Sequence, residues 1–468
     1  MSRIWAVARQ MIAEGIRMKI ALVFLLLLGA VVIGLPFSIV GDASLTGAVQ
    51  SFMAYGFTAT GFLLSLLTIL MARSLSDELV NHQIFLVVTK PIPRWQYIVG
   101  KWLGITTLNL VFLTGSTLTI YGMVHYIRHT HPPIDDRYDE AELNQEVLVA
   151  RHARPCKLPD FTRGAELEYE RNREEGLYDS IPDFAPEAEK SRLVHKHEAR
   201  WRVVSPLDAR LLEFDQVLVD RSRQQVLQLR YKTEVSYYPP DEVFRSTWIF
   251  GNRSKGTPER RFDTRHVVGR YHTIRVPIDT IAPDHTLTVR FFNRNPFPDE
   301  PQFGNVIEFK RSNPVEVLFI VGSFEWNLVR LSILMFCKLM FLGAVAVLAA
   351  TAFSFPVACL TSFTVYVLAG TRQFITDALD FASEDNVDMF SSVKEFFVQL
   401  VTQLYNMVHW LIPDFARYDA VETVLNGRNV SLVWVLQAVA DLAAFKTVLV
   451  LGLAILLFYR REVAEISV

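Results

Sequence analysis

The sequence predicts an α-helical polytopic membrane protein. Six transmembrane helices are expected, with an α+β external domain containing a β-sandwich inserted between the third and the fourth. Three observations carry this. The 468 residues are 51% hydrophobic, with a mean hydropathy of +0.23. Charge is segregated, with long uncharged blocks towards both ends and most charged residues between Arg128 and Arg311. Within the charged middle the apolar period becomes two, the mark of half-buried strands. An ordinary soluble enzyme is excluded, and so is a disordered chain, which would be poor in apolar bulk. Lys and Arg number 47 and Asp and Glu 49, a net charge of −2, so no global basic field attracts nucleic acid. Cys156, Cys337 and Cys359 form no CxxC pair, and the middle segment holds a single cysteine.

Residues 1–19 read as a cytoplasmic amphipathic helix. Ile4, Val7, Ala8, Met11, Ile12, Gly15 and Ile16 share one face; Arg3, Arg9, Gln10, Glu14 and Arg17 share the other. Such a helix lies in the inner headgroup layer, although a mere topogenic flank would look similar. Residues 20–126 carry spans one to three. The blocks 20–41, 46–72 and 102–124 lack charge and suffice for a hydrocarbon core of about 30 Å. The first block is too long for a cleaved signal peptide, and a second span follows at once. Residues 73–101 form a cytoplasmic loop: a helical extension, a stiff turn at Pro91 and Pro93, then a new helix. Each proline lacks an amide hydrogen and fixes φ, so the turn can transmit force to a partner.

Residues 127–325 are expected outside. A helical stretch lies around residues 166–175, and strands are expected at 226–231, 271–276, 286–292 and 305–309. The plain reading is a structural or partner-docking domain; the sharper one is a ligand-binding jelly roll. Residues 326–372 hold spans four and five, broken near Ser354-Phe355-Pro356. Residues 373–432 return outside and include an amphipathic or re-entrant helix at 396–412. There Gln399, Gln403, Asn406 and His409 oppose Phe397, Leu400, Leu404, Met407 and Leu411. Residues 433–468 form span six and a cytoplasmic tail. Basic flanks set the orientation: Arg3, Arg9, Arg17 and Lys19, then Arg73, Lys90, Arg94 and Lys101, then Arg460 and Arg461. They share the cytoplasmic side only with six spans and both termini inside.

Lys338, Asp441 and Lys446 fall inside apolar blocks. Charges there are costly and usually face a bundle interior or a cavity. They are candidates for an intramembrane polar pathway; snorkelling to the interface is the alternative. His125, His129 and His131, and the pair His195 and His197, are residue types that hold copper or zinc. No Cys or Met box accompanies them, so they read as surface histidines and no metal is assigned. No GxxxxGK[ST], GxSxG or HExxH pattern is present, and no catalytic residue is assigned.

The loop after span two resembles the signature of ABC-2 type ABC transporter permeases. Glu78, Lys90-Pro91-Ile92, Arg94 and Gly100-Lys101 carry the likeness. Glu14 and Arg17 match the elbow helix, Phe353-Ser354-Phe355-Pro356-Val357 a short cytoplasmic turn, and Arg460-Arg461-Glu462 the C-terminal end. The large external domain departs from the short loop of typical members. The resemblance implies a permease subunit in the bacterial cytoplasmic membrane, paired with itself or a related permease. A separate ABC ATPase subunit would hold ATP and Mg, and this chain would carry no cofactor. Glu14, Arg17, Glu78, Pro91, Pro93, Arg94, Gly100 and Lys101 would receive that subunit's motion, and the resemblance favours export without naming the cargo. Charge reversal at Glu78 or Arg94 is expected to uncouple transport while leaving the fold intact. Two other classes stay open: an ATPase-driven mechanical or scaffold protein acting on a periplasmic partner, and a membrane-anchored receptor or hydrolase.

Overall fold

The computed structural model of the chain describes residues 2–17, 19–38, 44–80, 93–130, 140, 142–178, 185–219, 226–239, 242–296, 304–309, 315–384 and 412–460. The chain divides into two compact units. Residues Met1–Ala150 and Gly322–Val468 form a helical unit, and Arg151–Val321 form a strand-rich unit.

The helical unit opens with α1 (Ser2–Arg17), α2 (Ile20–Ser38), α3 (Leu45–Val80) and α4 (Arg94–Thr130). The strand-rich unit contributes α5 (Phe161–Glu174) and α6 (Pro186–Arg202). The helical unit resumes with α7 (Phe324–Ala352), α8 (Phe355–Glu384), α9 (Val421–Leu425), α10 (Leu432–Ala438), a π-helical stretch Val439–Lys446 and α11 (Thr447–Arg460). Among the described residues, four stretches are long and apolar enough to cross a membrane: Leu45–Leu79, Arg94–Thr130, Phe324–Ala352 and Leu432–Arg460. A fifth arises if α1 and α2, bent by 66° at their junction, count as one span. Helix α8 occupies the place of the expected fifth span, but Thr361, Ser362, Thr364, Thr371 and Arg372 dilute its apolar character.

The helices extend beyond the uncharged blocks. Helix α3 runs on to Val80, and α4 begins at Arg94 and continues to Thr130. Uncharged runs locate an apolar core, whereas a helix ends only where its backbone hydrogen bonding ends. The expected turn carrying Lys90 and Pro91 lies outside the described residues, as do residues 396–411, His131 and Arg461-Glu462. Pro93 caps α4: its carbonyl accepts from the amides of Gln96 (2.9 Å) and Tyr97 (3.3 Å). The break between α7 and α8 falls at Phe353-Ser354, with Pro356 tolerated in the first turn of α8.

The inserted domain is shorter than the expected 127–325. Leu143 and Val147, on a π-helical turn after α4, are buried in the core of the helical unit. Apolar packing, not the onset of charge, sets that boundary. The strands of the second unit are β1 (Val149–Pro155), β2 (Val203–Val204), β3 (Ala209–Phe214), β4 (Val226–Val235), β5 (Val243–Phe250), β6 (Arg260–Val267), β7 (Tyr271–Pro277), β8 (Leu287–Asn293), β9 (Ile307–Phe309) and β10 (Val315–Ser323). Among the described residues they form two sheets. One runs β1-β10-β4-β9-β2 with β7 also on β4; the other runs β3-β8-β5-β6. Leu227, Leu229 and Tyr231 of β4 share one core with Trp248 and Phe250 of β5 and Val289 and Phe291 of β8. The Tyr231 and Trp248 rings lie 4.5 Å apart, so the sheets pack face to face.

Expected strands at 226–231, 271–276, 286–292 and 305–309 correspond to β4, β7, β8 and β9. Sequence reasoning misses β1, β2, β3, β5, β6 and β10, and also α6. β6 reads Arg-Arg-Phe-Asp-Thr-Arg-His-Val and lies at a sheet edge, where only one neighbour buries it. β10 is a nearly continuous apolar run, which periodicity alone does not resolve. Helix α6 is mostly polar and is held by spaced ion pairs, Glu187 with Lys190 and Glu189 with Arg192.

Candidate functional site

One end of the helical unit gathers most of the residues singled out from the sequence. Lys101 of α4 is fully buried. Its ammonium donates to Glu78 Oε1 at 2.6 Å, Glu14 Oε2 at 3.0 Å and Ser74 Oγ at 3.2 Å. An ammonium has three N–H donors, so these three acceptors match its capacity. Glu14 comes from α1, Ser74 and Glu78 from α3. The Tyr97 hydroxyl donates to Glu78 Oε2, the Ser74 hydroxyl donates to Glu14, and the Gln10 amide donates to Glu14 Oε1 at 2.8 Å. The result is a connected polar network, buried at Lys101, Glu78 and Tyr97 and reaching the surface at Glu14 and Gln10. Polar residues four apart build it: Gln10 and Glu14 on α1, Ser74 and Glu78 on α3, Tyr97 and Lys101 on α4. That spacing places each pair on one helix face.

Helix α1 is seated on α4 by glycines. A Cβ at Gly100 would lie 2.6 Å from Val7 Cβ and 3.0 Å from the Ile4 carbonyl oxygen. At Gly104 it would lie 2.6 Å from Met11 Cβ and 2.8 Å from the Ala8 carbonyl oxygen. The two glycines, one turn apart, form a groove for the backbone of α1. Arg94 joins the last helix to the same end. Its Nη1 donates to the carbonyls of Tyr459 (3.1 Å) and Phe458 (3.3 Å), satisfying acceptors at the C-terminus of α11. The Tyr97 and Phe458 rings stack at 5.9 Å. Arg17 is exposed in the last turn of α1.

Seven of the eight positions expected to receive an ATPase's motion thus lie on α1, the end of α3 and the start of α4: Glu14, Arg17, Glu78, Pro93, Arg94, Gly100 and Lys101. Of these Arg17 is exposed, and Pro91 is not described. One expectation changes. Glu78 and Lys101 are interior, so reversing the charge at Glu78 places two ammonium groups together without water. That lesion acts on the fold rather than on a docking surface.

A second polar constellation lies farther along the helices. Residues 412–430 run into the helical unit beside α7. Asn327 donates to the Arg428 carbonyl (2.6 Å) and accepts from the Val430 amide (2.8 Å), while Arg330 donates to Asn429 Oδ1 (2.7 Å) and the Val430 carbonyl (2.8 Å). Eleven residues on, Lys338 Nζ lies 3.7 Å from Asp419 Oδ2. Farther still, Phe415 packs on Phe341, with ring centroids 6.1 Å apart. At 1.5 Å per residue, the segment descends about 21 Å along α7 between Asn327 and Phe341. Its backbone is held by neighbours: the Phe415 amide donates to the Ala369 carbonyl (2.9 Å), Arg372 to the Ile412 carbonyl (3.1 Å) and Gln50 to the Leu425 carbonyl (3.0 Å). Irregular backbone packed among helices is stable only when its polar groups find partners in this way.

Asp441 and Lys446 lie on the π-helical stretch and meet each other at 3.3 Å; the Tyr418 hydroxyl also donates to Asp441 Oδ2 at 3.2 Å. Neither lines the cavity described below, whereas Lys338 does. The three intramembrane candidates therefore separate: one cavity cation and one internal ion pair. Tyr418 and Asp419, which engage them, carry no sequence signal beyond an ordinary polar loop. Among the histidines, His195 lies 3.8 Å from Glu198 and His197 2.8 Å from Glu168. Among the described residues no group of three or more His, Cys, Asp or Glu is arranged to hold a metal ion. No protein-family model, curated protein or solved structure matches the chain.

Proposed function

We propose that this chain is the membrane-spanning subunit of an ABC-2 type transporter, with six transmembrane helices and both termini in the bacterial cytoplasm. It would pair with a second permease and move a substrate outward. ATP and Mg would belong to a separate ATPase subunit, and this chain would perform no chemistry itself. One observation carries the reading: the Glu14–Lys101–Glu78 network. It locks an amphipathic first helix to the ends of two long apolar helices, on either side of the segment 81–92. A push on that segment or on α1 would reach α3 and α4 together, because buried ion networks resist separation. Arg94 extends the same connection to α11.

The test is purification of the tagged chain in mild detergent, with mass spectrometry and an ATPase assay. Recovery of an ABC ATPase, reduced by Arg17→Glu at an unchanged yield of the chain, is the expected result. Arg17 is exposed, so that variant spares the core. A stable chain that never brings an ATPase with it overturns the proposal.

A second reading is a mechanical or scaffold role, in which the same ATPase moves the strand-rich unit against a periplasmic partner. It is favoured by one observation: Arg151–Val321 form a compact unit with its own apolar core, more than a connecting loop requires. Substrate movement in vesicles separates the two readings.

A further inference from the structure

A cavity of about 810 Å³ lies within the helical unit between α3, α7, α8 and the inserted segment 412–425. Phe57, Phe62, Met335, Leu339 and Val367 make its walls largely apolar. Its ionic groups are Lys338, Asp419 and Glu422. The Lys338 side chain is 18% exposed and Asp419 is 56% exposed, so the cation sits inward of the carboxylate. Lys338 and Asp419 are separated by 3.7 Å, longer than a hydrogen bond. Asp419 Oδ1 already accepts from the Val421 amide at 3.1 Å, which holds the carboxylate in place. Glu422 is exposed.

From this arrangement we infer that the cavity binds a zwitterionic amphiphile, a molecule with an anionic group next to an ammonium and an apolar chain attached. The anionic group takes Lys338, whose ammonium has donors to spare. The ligand's ammonium takes Asp419 and Glu422. A purely anionic head meets two carboxylates beside its one partner, and a purely cationic head meets Lys338; each carries a like-charge penalty, greatest at Lys338, the least exposed of the three groups. The volume is that of a ligand pocket rather than of a single ion, and the apolar walls accept a chain. The inference concerns the chain alone and holds whether or not an ATPase drives it.

The experiment is a binding titration on the full chain in an uncharged detergent. The probes are short-chain phosphatidylethanolamine, phosphatidylglycerol of equal chain length, an alkylamine, and free phosphoethanolamine without chains. Phosphatidylethanolamine is expected to bind saturably and at least about tenfold more tightly than the other three. Glu422→Gln, at an exposed position that spares the fold, is expected to erase most of the preference over phosphatidylglycerol. Lys338→Met is expected to erase the preference over the alkylamine. Equal binding of phosphatidylglycerol and phosphatidylethanolamine would overturn the inference, and so would an unchanged preference in Glu422→Gln. Free phosphoethanolamine binding as tightly as the lipid would overturn the amphiphile assignment in favour of a small zwitterion. Since no ATPase is present, failure here leaves the transporter proposal standing, and the reverse also holds.

Discussion

Lys101 is the residue on which the first site turns. Burying an ammonium is costly, and three acceptors from two other helices offset that cost only while all remain in place. Lys101→Met leaves the buried Glu78 carboxylate, and the partly exposed Glu14 near it, without their ammonium partner. It is expected to lower stability by about 3–5 kcal/mol, read from thermal unfolding in detergent. Adding Glu78→Gln to that variant should recover part of the loss, since it removes one of the stranded charges. If the double variant is less stable than Lys101→Met alone, the network is not the source of the effect. At His266, burial and the neighbouring His272 hold the imidazole below its usual range. The rings of His266 and His272 stack at 4.3 Å, and Tyr231 bonds to His266. A depressed histidine pKa means the unfolded chain binds the proton more readily. This contribution is therefore complete above the unfolded value, about pH 6.5, and is lost as pH falls towards the folded value. His266→Gln should flatten the acid side of the stability profile between those points. An unchanged profile would assign the acid sensitivity elsewhere.

Between elements, the seating of α1 on α4 depends on two missing side chains. Gly100→Leu or Gly104→Leu places carbon where Val7, Met11 and the backbone of α1 now lie. Each is expected to lift α1 and loosen its backbone, speeding trypsin cleavage after Arg3 and Arg9, whose side chains are already exposed. Gly122→Ala on the same helix is the control, because nothing lies within 4 Å of its added Cβ. Equal cleavage in all three would show that the glycines do not set the contact. The period-two pattern of β4 was readable because Leu227, Leu229 and Tyr231 face one core while Gln228 and Arg230 face away. β6 was not readable, because Thr264 and His266 take the inward positions after Phe262, so its alternation carries little apolar mark.

For the whole molecule, the route of the chain through its two units matters most. β1 and β10 are neighbours in one sheet, so the chain enters and leaves the strand-rich unit side by side. That unit also has a core of its own, including fully buried Tyr231, Trp248 and Phe291. A fragment of residues 149–323 is therefore expected to be soluble, with a β-rich circular dichroism spectrum and one cooperative unfolding transition. An insoluble or non-cooperative fragment would show that the unit needs the helices in order to fold.

The sequence by itself determined which stretches are apolar enough to form long helices, that α1 is amphipathic, and that strands occupy the charged middle. These properties repeat over a few residues, so local order suffices to read them. The resemblance of its motifs to those of ABC-2 permeases also marked Glu14, Glu78 and Lys101. Only the tertiary structure decided that these three meet in one buried network, that Asp441 and Lys446 neutralise each other, and that Lys338 faces a cavity with Asp419. The partners of Lys101 and Lys338 lie tens of residues away, and no periodicity encodes which distant charge will arrive; Asp441 and Lys446, five apart, share a face only because the helix there is π-helical. The entry of residues 412–430 beside α7 was hidden for the same reason. A polar loop becomes an interior element only when Asn327, Arg330 and Lys338 are there to satisfy it.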